Sequence, residues 1–218
     1  MKKVAIIKYN AGNVRSVLCA MQRLGAEAVL TDDADAIRSA DRVIFPGVGQ
    51  ARSSMDYLEA HGLADVIHSL RQPVLGICIG MQLLCRSSEE GAPLDAATGR
   101  VAEPTPCLGR FDVPVVRFRP GDEDLKVPHM GWNRLSFPTT AGEACPLFEG
   151  VEPGAYVYYV HSYHAPVCAH TVATTTYGHA FSAALRCGNF FATQFHPEKS
   201  GPVGERILRN FLGLRVEE

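Results

Sequence analysis

The sequence lacks any apolar run that approaches the roughly 20 residues needed for a membrane-spanning helix. It also lacks an excess of charge of either sign, since the formal net charge is only -2. That balance gives no electrostatic reason to expect nucleic acid or an anionic membrane as a partner. The apolar part of segment 1–8 is only four residues long and no cleavage site follows it, so we interpret it as a strand and not as a signal peptide. We therefore predict a protein that binds neither nucleic acid nor a membrane.

Paired cysteines are also missing, although the chain contains seven cysteines. The number is odd and no two of them form a C-x-x-C pair, which argues against a disulfide framework and against a zinc site. This cysteine usage favours a reducing, cytoplasmic location, and we predict neither a metal nor a cofactor. The chain contains no internal repeat, low-complexity segment or convincing linker, so its length predicts one domain over residues 1–218.

Strand and helix patterns alternate through the first half of the chain. Short apolar strands are predicted at 4–7, 28–30, 42–45 and 73–75, with helices at 14–24, 33–39, 51–59, 63–70 and 79–86. The second half favours short strands at 113–118, 133–137, 155–160, 171–176, 182–185 and 190–194, a hairpin turn at 187–189 and a closing helix at 204–212. We predict an α/β fold, with a mainly parallel central sheet flanked by helices and added antiparallel strands.

A cysteine stands between two glycines where an apolar segment is predicted to turn into a helix. The motif Gly-Ile-Cys-Ile-Gly covers residues 76–80 and has the G-x-C-x-G form of a nucleophile elbow. Such a turn holds its central residue in a strained backbone conformation, and the glycines avoid collisions there. The helix that follows favours the thiolate of Cys78 through its dipole. A buried structural cysteine is the alternative interpretation.

A second candidate for catalysis lies near the end of the chain, where His196, Pro197 and Glu198 follow an apolar strand. Pro197 fixes its own φ and favours an extended conformation at His196, so the imidazole and the carboxylate can share one turn. Cys78 as nucleophile, His196 as base and Glu198 as orienting acid supply the three parts of a catalytic triad. Without the cysteine motif, a surface turn would explain His196 and Glu198 equally well.

The oxyanion of a tetrahedral intermediate needs backbone N–H donors. The residue after a nucleophile on an elbow commonly supplies one, which indicates Ile79. We expect the second from Pro-Gly-Val-Gly at 46–49, where the glycines leave the backbone around Val48 and Gly49 free to turn. A plain strand-to-helix turn is the alternative explanation of this segment.

Residues 76–82 together with 196–198 resemble the class I glutamine amidotransferase family, whose members hydrolyse glutamine at a cysteine and pass ammonia to a synthase. Within that family, five stretches are similar, in the same order, to the glutaminase subunits of imidazole glycerol phosphate synthases. These stretches are residues 9–13, 45–49, 128–133, 161–163 and 196–200. Lys8 and Asn10 stand where an acidic residue and a glycine are common in the family, in a loop expected at the partner face.

The resemblance implies that the chain hydrolyses L-glutamine to glutamate and ammonia through Cys78, His196 and Glu198. It implies a heterodimer with a (β/α)8-barrel cyclase subunit, which uses the ammonia to make imidazole glycerol phosphate and AICAR in histidine biosynthesis. It further implies that glutaminase activity rises when this partner holds its ligand. Gln82 is expected to contact glutamine, while Asn13, Trp132 and Lys199 are expected at the partner face or the ammonia path.

Several of these residues have simpler explanations. His161, Ser162 and Tyr163 end a predicted strand, and their backbone is a candidate for binding the α-amino and α-carboxylate groups of glutamine, but ordinary loop packing would also explain them. Core filling is the usual role of a lone tryptophan such as Trp132.

Three other functions remain open from the sequence. The chain could be a peptidase-like or esterase-like cysteine hydrolase, although the order Cys, His, Glu disfavours this. It could be a binding subunit without activity, although all three triad residues are present. It could also serve anthranilate, carbamoyl phosphate or pyridoxal phosphate synthesis, although Lys199 and the stretch 128–133 favour the histidine pathway.

Overall fold

The computed structural model describes residues 1–10, 12, 14–47, 49–93, 101–119, 125–137 and 145–214. With strands numbered in chain order, seven of them form a central sheet: β1 (Lys3–Ile7), β2 (Glu27–Thr31), β3 (Arg42–Phe45), β4 (Val74–Ile77), β11 (Thr171–Tyr177), β12 (His179–Cys187) and β13 (Phe190–Thr193). Their spatial order is β11–β12–β13–β4–β3–β1–β2. The four neighbouring pairs from β13 to β2 are parallel, whereas β12 pairs antiparallel with β11 and β13. This confirms the predicted mainly parallel sheet with added antiparallel strands.

Two smaller sheets contain the other strands. One has four strands, β5 (Cys85–Ser88), β6 (Thr105–Pro106), β7 (Phe111–Arg117) and β10 (Tyr163–His164), in the order β10–β7–β5–β6. The second is an antiparallel pair of β8 (His129–Arg134) and β9 (Tyr156–His161). The predicted hairpin turn at 187–189 is confirmed, because it joins the antiparallel strands β12 and β13.

Six α-helices accompany the strands in the described part of the chain. They are α1 (Val14–Arg23), α2 (Ala34–Ser39), α3 (Ala51–Ala60), α4 (Leu63–Ser69), α5 (Ile79–Leu84) and α6 (Gly201–Gly213), with short 3₁₀ helices at Pro146–Phe148 and Pro197–Lys199. Of these, α1 to α4 connect parallel strands of the central sheet. Local sequence fixes some of the ends: the carboxylate of Asp33 caps α2 by accepting a 2.7 Å hydrogen bond from the N–H of Ala36. Gly25, in the left-handed region at φ 77°, follows the end of α1.

Both faces of the central sheet are buried. Along β1 the side chains of Ala5 and Ile7 join one hydrophobic cluster, and those of Val4 and Ile6 join another. Burial on both faces explains why these strands appear in the sequence as continuous apolar runs and not as alternating ones. Each fully buried side chain of isoleucine size contributes about 1.5–3 kcal/mol of transfer free energy to this core.

Some boundaries differ from those predicted from the sequence. Helix α5 ends at Leu84 and not at residue 86, because the chain then pairs as β5 with β6 and β7. The strand predicted at 133–137 lies at His129–Arg134, where pairing with β9 begins with His129 opposite His161. No pattern in the sequence predicts β5, β6 or β10: β6 and β10 have only two residues each, and β5 begins inside the predicted helix 79–86.

The sheet topology brings three chain segments to one edge. β4 pairs with β3 on one side and with β13 on the other, all in parallel. The residues that follow their carboxyl ends are Pro46 and Gly47, Cys78, and residues 194–198, so these are neighbours at the edge where α/β sheets bind ligands. Among the described residues, no helix is both long enough and apolar enough to cross a membrane. The assignment of residues 1–218 to one domain stays a prediction.

Candidate active site

Cys78 occupies a strained turn between β4 and α5. Its backbone dihedrals are φ 53° and ψ −107°, a conformation that side chains with a Cβ rarely adopt. The turn is held from both sides, because the N–H of Cys78 donates to the carbonyl of Thr193 at 2.8 Å and its own carbonyl accepts from the N–H of Gln82 at 3.1 Å. The cysteine therefore sits at the amino end of α5 with its position fixed by main-chain hydrogen bonds.

The two glycines of the motif permit close packing around this turn. A Cβ on Gly80 would overlap the carbonyl oxygen of Phe45, at the end of β3. A Cβ on Gly76 would lie 2.9 Å from the side chain of Leu84 and 3.0 Å from the backbone of Gly80. The first turn of α5 can thus pack directly against the end of β3, and Gly49 lies with Cys78 in the wall of one cavity.

His196 and Glu198 form a buried pair on the far side of the cysteine. His196 Nδ1 lies 2.9 Å from Glu198 Oε1, and the side chains are only 2% and 1% exposed. Ser200 Oγ fixes this turn by donating to the carbonyl of His196 at 2.7 Å and by accepting from the N–H of Tyr158 on β9 at 3.0 Å. The imidazole therefore has a defined orientation, with Nδ1 directed at the carboxylate.

The electrostatics of His196 favour its protonated form. Burial, the largest single influence, lowers the pKa, but the side chains of Cys78 and Glu198 together outweigh it and raise the pKa of His196 to about 10. His196 Nε2 and Glu198 Oε2 are buried and make no hydrogen bond with the described residues. The nitrogen opposite the carboxylate is consequently free for proton transfer.

A cavity of about 300 Å³ opens beside the cysteine. Its walls are formed by Gly49, Cys78, Ile79, Gln82, Glu90, Pro128, Val160, His161, Ser162 and Tyr163. The structure therefore brings together most of the residues predicted to surround the substrate. Val48 and Asn13 lie outside the described residues.

The segment 161–163 is tied to the interior by hydrogen bonds. The carbonyl of Tyr163 accepts from Gln82 Nε2 at 3.0 Å and from His161 Nδ1 at 2.8 Å. His161 Nε2 in turn lies 3.0 Å from His129 Nδ1. Burial lowers the pKa of His161 to about 3 and that of His129 to about 4, so both rings are neutral. Because both acceptor positions of the Tyr163 carbonyl are occupied, other atoms of this segment would have to bind a substrate.

Two residues, one lining the cavity and one beside Cys78, were not predicted from the sequence. Glu90 lines the cavity and accepts a 3.0 Å hydrogen bond from the N–H of Ala51, and burial raises the pKa of its carboxyl. Gln194 is fully buried, and its Nε2 lies 3.7 Å from Cys78 Sγ. The available signals were weak: an acidic residue in a loop predicted to be irregular, and one amide at the end of an apolar strand.

Trp132 and Lys199 lie outside the cavity, on one exposed surface. Trp132 on β8 is 55% exposed, which rules out core filling for this side chain. Its ring meets that of Tyr158 on β9 edge-on with centroids 5.9 Å apart, and Lys199 Nζ lies 6.0 Å from the Tyr158 ring centroid. Met130, 62% exposed on the same strand, extends this surface.

A larger cavity, about 1050 Å³, lies at the opposite edge of the sheet, near Pro73 and Asn189 before β4 and β13. None of the predicted site residues lines it. Within the described parts of the chain, no group of three or more His, Cys, Asp or Glu side chains is arranged to hold a metal ion.

Comparison with known proteins decides the family. Residues 6–214 match the family described as glutamine amidotransferase class-I. The chain is 55% identical over 212 residues to the imidazole glycerol phosphate synthase subunit HisH of Bacteroides thetaiotaomicron, covering 97% of this chain and 100% of the relative. The chain belongs to the HisH family of class I glutamine amidotransferases.

The HisH-family chain has further relatives at lower identity. It is 46% identical over 211 residues to the imidazole glycerol phosphate synthase subunit HisH of Shewanella loihica, covering 97% of this chain and 90% of the relative. It also matches the structure of PurLQS from Thermotoga maritima with a TM-score of 0.67 and 17% identity, over 98% of this chain and 99% of that chain. This last likeness shows a shared fold. The family resemblance stated from the sequence is confirmed.

Proposed function

We propose that this chain is the glutaminase subunit of an imidazole glycerol phosphate synthase, with Cys78, His196 and Glu198 as its catalytic triad. One observation carries the assignment. Neighbouring parallel strands bring the strained Cys78 turn and the buried His196–Glu198 pair to the same edge of the sheet. A nucleophile on an elbow, a base beside it and an acid that orients the base are the requirements of acyl transfer from an amide.

In the proposed reaction, His196 already holds the proton of the Cys78 thiol as an imidazolium, and the thiolate Sγ attacks the side-chain amide carbon of L-glutamine. The tetrahedral intermediate collapses to a glutamyl thioester as His196 gives that proton to the departing ammonia. Water, activated by the neutral imidazole, then cleaves the thioester and releases glutamate and the Cys78 thiol. Glu198, 2.9 Å from Nδ1, keeps the imidazole in the useful tautomer and stabilises its cation.

Two backbone donors would stabilise the oxyanion. Ile79 is the first residue of α5, so its N–H has no acceptor within the helix. Gly49 forms part of the cavity wall with Ile79, which supports a second donor from the loop of Val48 and Gly49. Gly47, at φ 154°, gives this loop backbone freedom that other residues lack.

The cavity is suited to one amino acid. Its volume of about 300 Å³ is at the lower end for small-ligand sites. The carboxylate of Glu90 is placed to attract the α-ammonium group of glutamine, while Gln82 and the segment 161–163 line the cavity near Cys78. Such contacts would hold the substrate with its amide toward Sγ.

The partner in this proposal is a (β/α)8-barrel cyclase that receives the ammonia. The relatives are named as synthase subunits, which supports a complex of at least two different chains. The surface formed by Met130, Trp132, Tyr158 and Lys199 contains a methionine and two aromatic rings, which are residue types enriched in protein interfaces. β9 connects this surface to the active site, because the carbonyl of Val160 lies 3.9 Å from Cys78 Sγ. We include Asn13 in the same proposed interface. We also propose that residues 1–218 form one domain and that the protein is located in the cytoplasm.

The test compares two nitrogen sources in the complex with the cyclase. Cys78→Ala and His196→Ala should lower glutamine-dependent product formation by about 10³-fold or more, and Glu198→Ala should be milder. All three should retain synthesis from added ammonium, since the cyclase chemistry is separate. Cys19→Ser, at an exposed cysteine, is the control. Glutamate release by the Cys78→Ala complex at the native rate would refute the assignment.

A further inference from the structure

The nucleophile of the proposed reaction has a neighbour that the triad does not include. Gln194 is fully buried between the end of β13 and His196, and its Nε2 lies 3.7 Å from Cys78 Sγ, within the range of an N–H···S hydrogen bond. Its backbone N–H donates to the carbonyl of Ala183 at 2.8 Å, which fixes the start of the side chain. The amide therefore contacts the sulfur from a rigid position.

The orientation of the Gln194 amide, with either its NH₂ group or its oxygen facing the sulfur, follows from the hydrogen bonds of Gln82 and of the Tyr163 carbonyl. The carbonyl of Tyr163 can only accept hydrogen bonds, so the atom of Gln82 that lies 3.0 Å from it must be the NH₂ group. The second N–H of that group then needs an acceptor, and Gln194 Oε1 lies 3.0 Å away. With Oε1 turned toward Gln82, the NH₂ group of Gln194 is left facing Cys78 Sγ.

The opposite orientation would be unfavourable at both contacts. It would place the buried Gln194 carbonyl against the sulfur and leave two NH₂ groups facing each other. Gln82 cannot compensate by rotating, because its own carbonyl would then meet the carbonyl of Tyr163. The saturated Tyr163 carbonyl thus imposes one direction on the whole sequence of hydrogen bonds.

We propose that Gln194 is a positioning residue that donates an N–H to the sulfur of Cys78, and that Gln82 fixes the direction of this donor. The inference rests on the proposed function of Cys78 as nucleophile. A hydrogen bond to the charged form favours that form, so the donor stabilises the thiolate before attack. It acts again when the thioester is cleaved and the sulfur leaves as thiolate. In the thioester itself the sulfur is neutral and a weaker acceptor, so the donor favours turnover more than substrate binding.

The test follows alkylation of Cys78 by iodoacetamide, which forms a carbon–sulfur bond with the thiolate and releases iodide. Rates are measured from pH 5 to 10 by mass spectrometry of the Cys78 peptide, with exposed Cys19 as the internal reference. Gln194→Met keeps the chain length but removes the N–H. We expect Cys78 alkylation at pH 7 to be about tenfold slower and its pH profile to move upward, since hydrogen bonds to charged groups are the stronger class. The Cys19 profile should not change.

Thr193→Val is the matched control on the same strand. Thr193 is as buried as Gln194, but its hydroxyl donates to the carbonyl of Phe195 at 3.1 Å and not to the sulfur. This variant should lose stability without a change in the Cys78 profile. In the complex with the cyclase, Gln194→Met should lower kcat while KM changes less than twofold.

The outcomes separate the inference from the proposed function. A Cys78 profile that coincides with the Cys19 profile in the unchanged protein would overturn both. A normal Cys78 profile in Gln194→Met would overturn the positioning role alone. If Gln194→Met does not fold, because Gln82 loses its acceptor, the double variant Gln82→Met/Gln194→Met removes both polar partners and is measured instead. Slow alkylation in that variant supports the inference, and an unchanged rate refutes it.

Discussion

Gly80 packs so closely against the carbonyl oxygen of Phe45 that a Cβ at this position would overlap the oxygen. The contact joins the first turn of α5 to the end of β3. It explains how the loop that follows Phe45 reaches the nucleophile, since no side chain separates the two segments. The second glycine of the cysteine motif is thus required by packing between backbones.

Gly80→Ala should therefore prevent stable folding. Neither the backbone of β3 nor that of α5 can yield without breaking sheet or helix hydrogen bonds, so we expect a loss of about 3 kcal/mol or more in unfolding free energy. Urea unfolding followed by circular dichroism measures it. Gly213→Ala is the control, because a Cβ there meets no atom within 4 Å. Equal stability of the two variants would contradict the close contact.

Gly49 offers a way to test the oxyanion loop without disturbing the fold. A Cβ on Gly49 would lie 3.6 Å from Ser54 Oγ, an ordinary contact, so Gly49→Ala should fold normally. Gly49→Pro removes the N–H and should lower glutaminase turnover in the cyclase complex by about 10²–10³-fold. Rates with and without the cyclase and its ligand are compared for both variants. Wild-type turnover by Gly49→Pro would exclude the Gly49 N–H as a donor.

The strained backbone of Cys78 predicts that replacing this residue with glycine raises the stability of the fold and abolishes activity. Cys78→Gly and Cys78→Ala both remove the thiol, but only glycine tolerates φ 53° without a Cβ penalty. We expect Cys78→Gly to be more stable than Cys78→Ala by about 1 kcal/mol, or roughly 2–4 °C in Tm for a chain of this size. Differential scanning calorimetry of the two inactive variants provides the comparison. An alanine variant with the higher Tm would argue against strain at this turn.

Buried neutral histidines predict that acid destabilises the fold. Burial lowers the pKa of His129 and His164 to about 4 and that of His161 to about 3. In the unfolded chain these groups titrate near 6.5, so between pH 6.5 and 4 only the unfolded state gains protons and stability falls as pH falls. His196 opposes this slope only near pH 6.5, where the unfolded chain is still gaining its proton and the raised pKa keeps the folded protein protonated.

The acid effect can be traced to one ring. His164 stacks on Phe118 with centroids 4.1 Å apart, so His164→Phe retains the packing. We expect this variant to lose about 1.4 kcal/mol per pH unit of the acid dependence between pH 6.5 and 4. Urea unfolding at several pH values measures the slope, with exposed His68→Gln as the control. An unchanged slope in His164→Phe would show that His164 titrates alike in both states.

The exposure of Trp132 predicts that its substitution weakens binding to the cyclase without lowering the stability of the fold. Trp132→Ala removes a ring that is 55% exposed, so Tm should change by less than about 1 °C. Affinity for the cyclase should fall about 30-fold or more if the ring is an interface anchor, as tryptophans often are. Val29→Ala, at a residue 52% exposed on the edge strand β2, is the control for calorimetric titration. Equal affinities would place the partner elsewhere.

Sequence reasoning predicted the local conformation correctly where one short segment determines it. The spacing of Gly76, Cys78 and Gly80 requires one tight turn, and His196 and Glu198 are only two residues apart. The alternating strands and helices were equally predictable, because the central strands β3 and β4 are buried on both faces and therefore appear as continuous apolar runs.

The remaining features depend on contacts between distant segments. Gln194 reaches the sulfur only because β13 pairs with β4, and Glu90 enters the cavity only because its carboxylate accepts from the N–H of Ala51 on α3. Strand β5 directly follows a helix, since its pairing with β7 outweighs the helical pattern of the sequence. The sequence of one short segment does not indicate which distant segment it pairs with.

The parallel pairing of β4 with β13 also has a consequence for how the protein acquires its reactivity. Cys78 and His196 are distant in the chain, and their strands meet through a register that runs from Val74 opposite Phe190 to Ile77 opposite Thr193. Long-range parallel pairing of this kind forms late in folding. The conformational entropy of closing a large loop is lost before any stabilising contact between the two strands forms. In a partly synthesised or partly folded chain, Cys78 therefore lacks His196 beside it, and the triad is assembled only when this part of the sheet is closed.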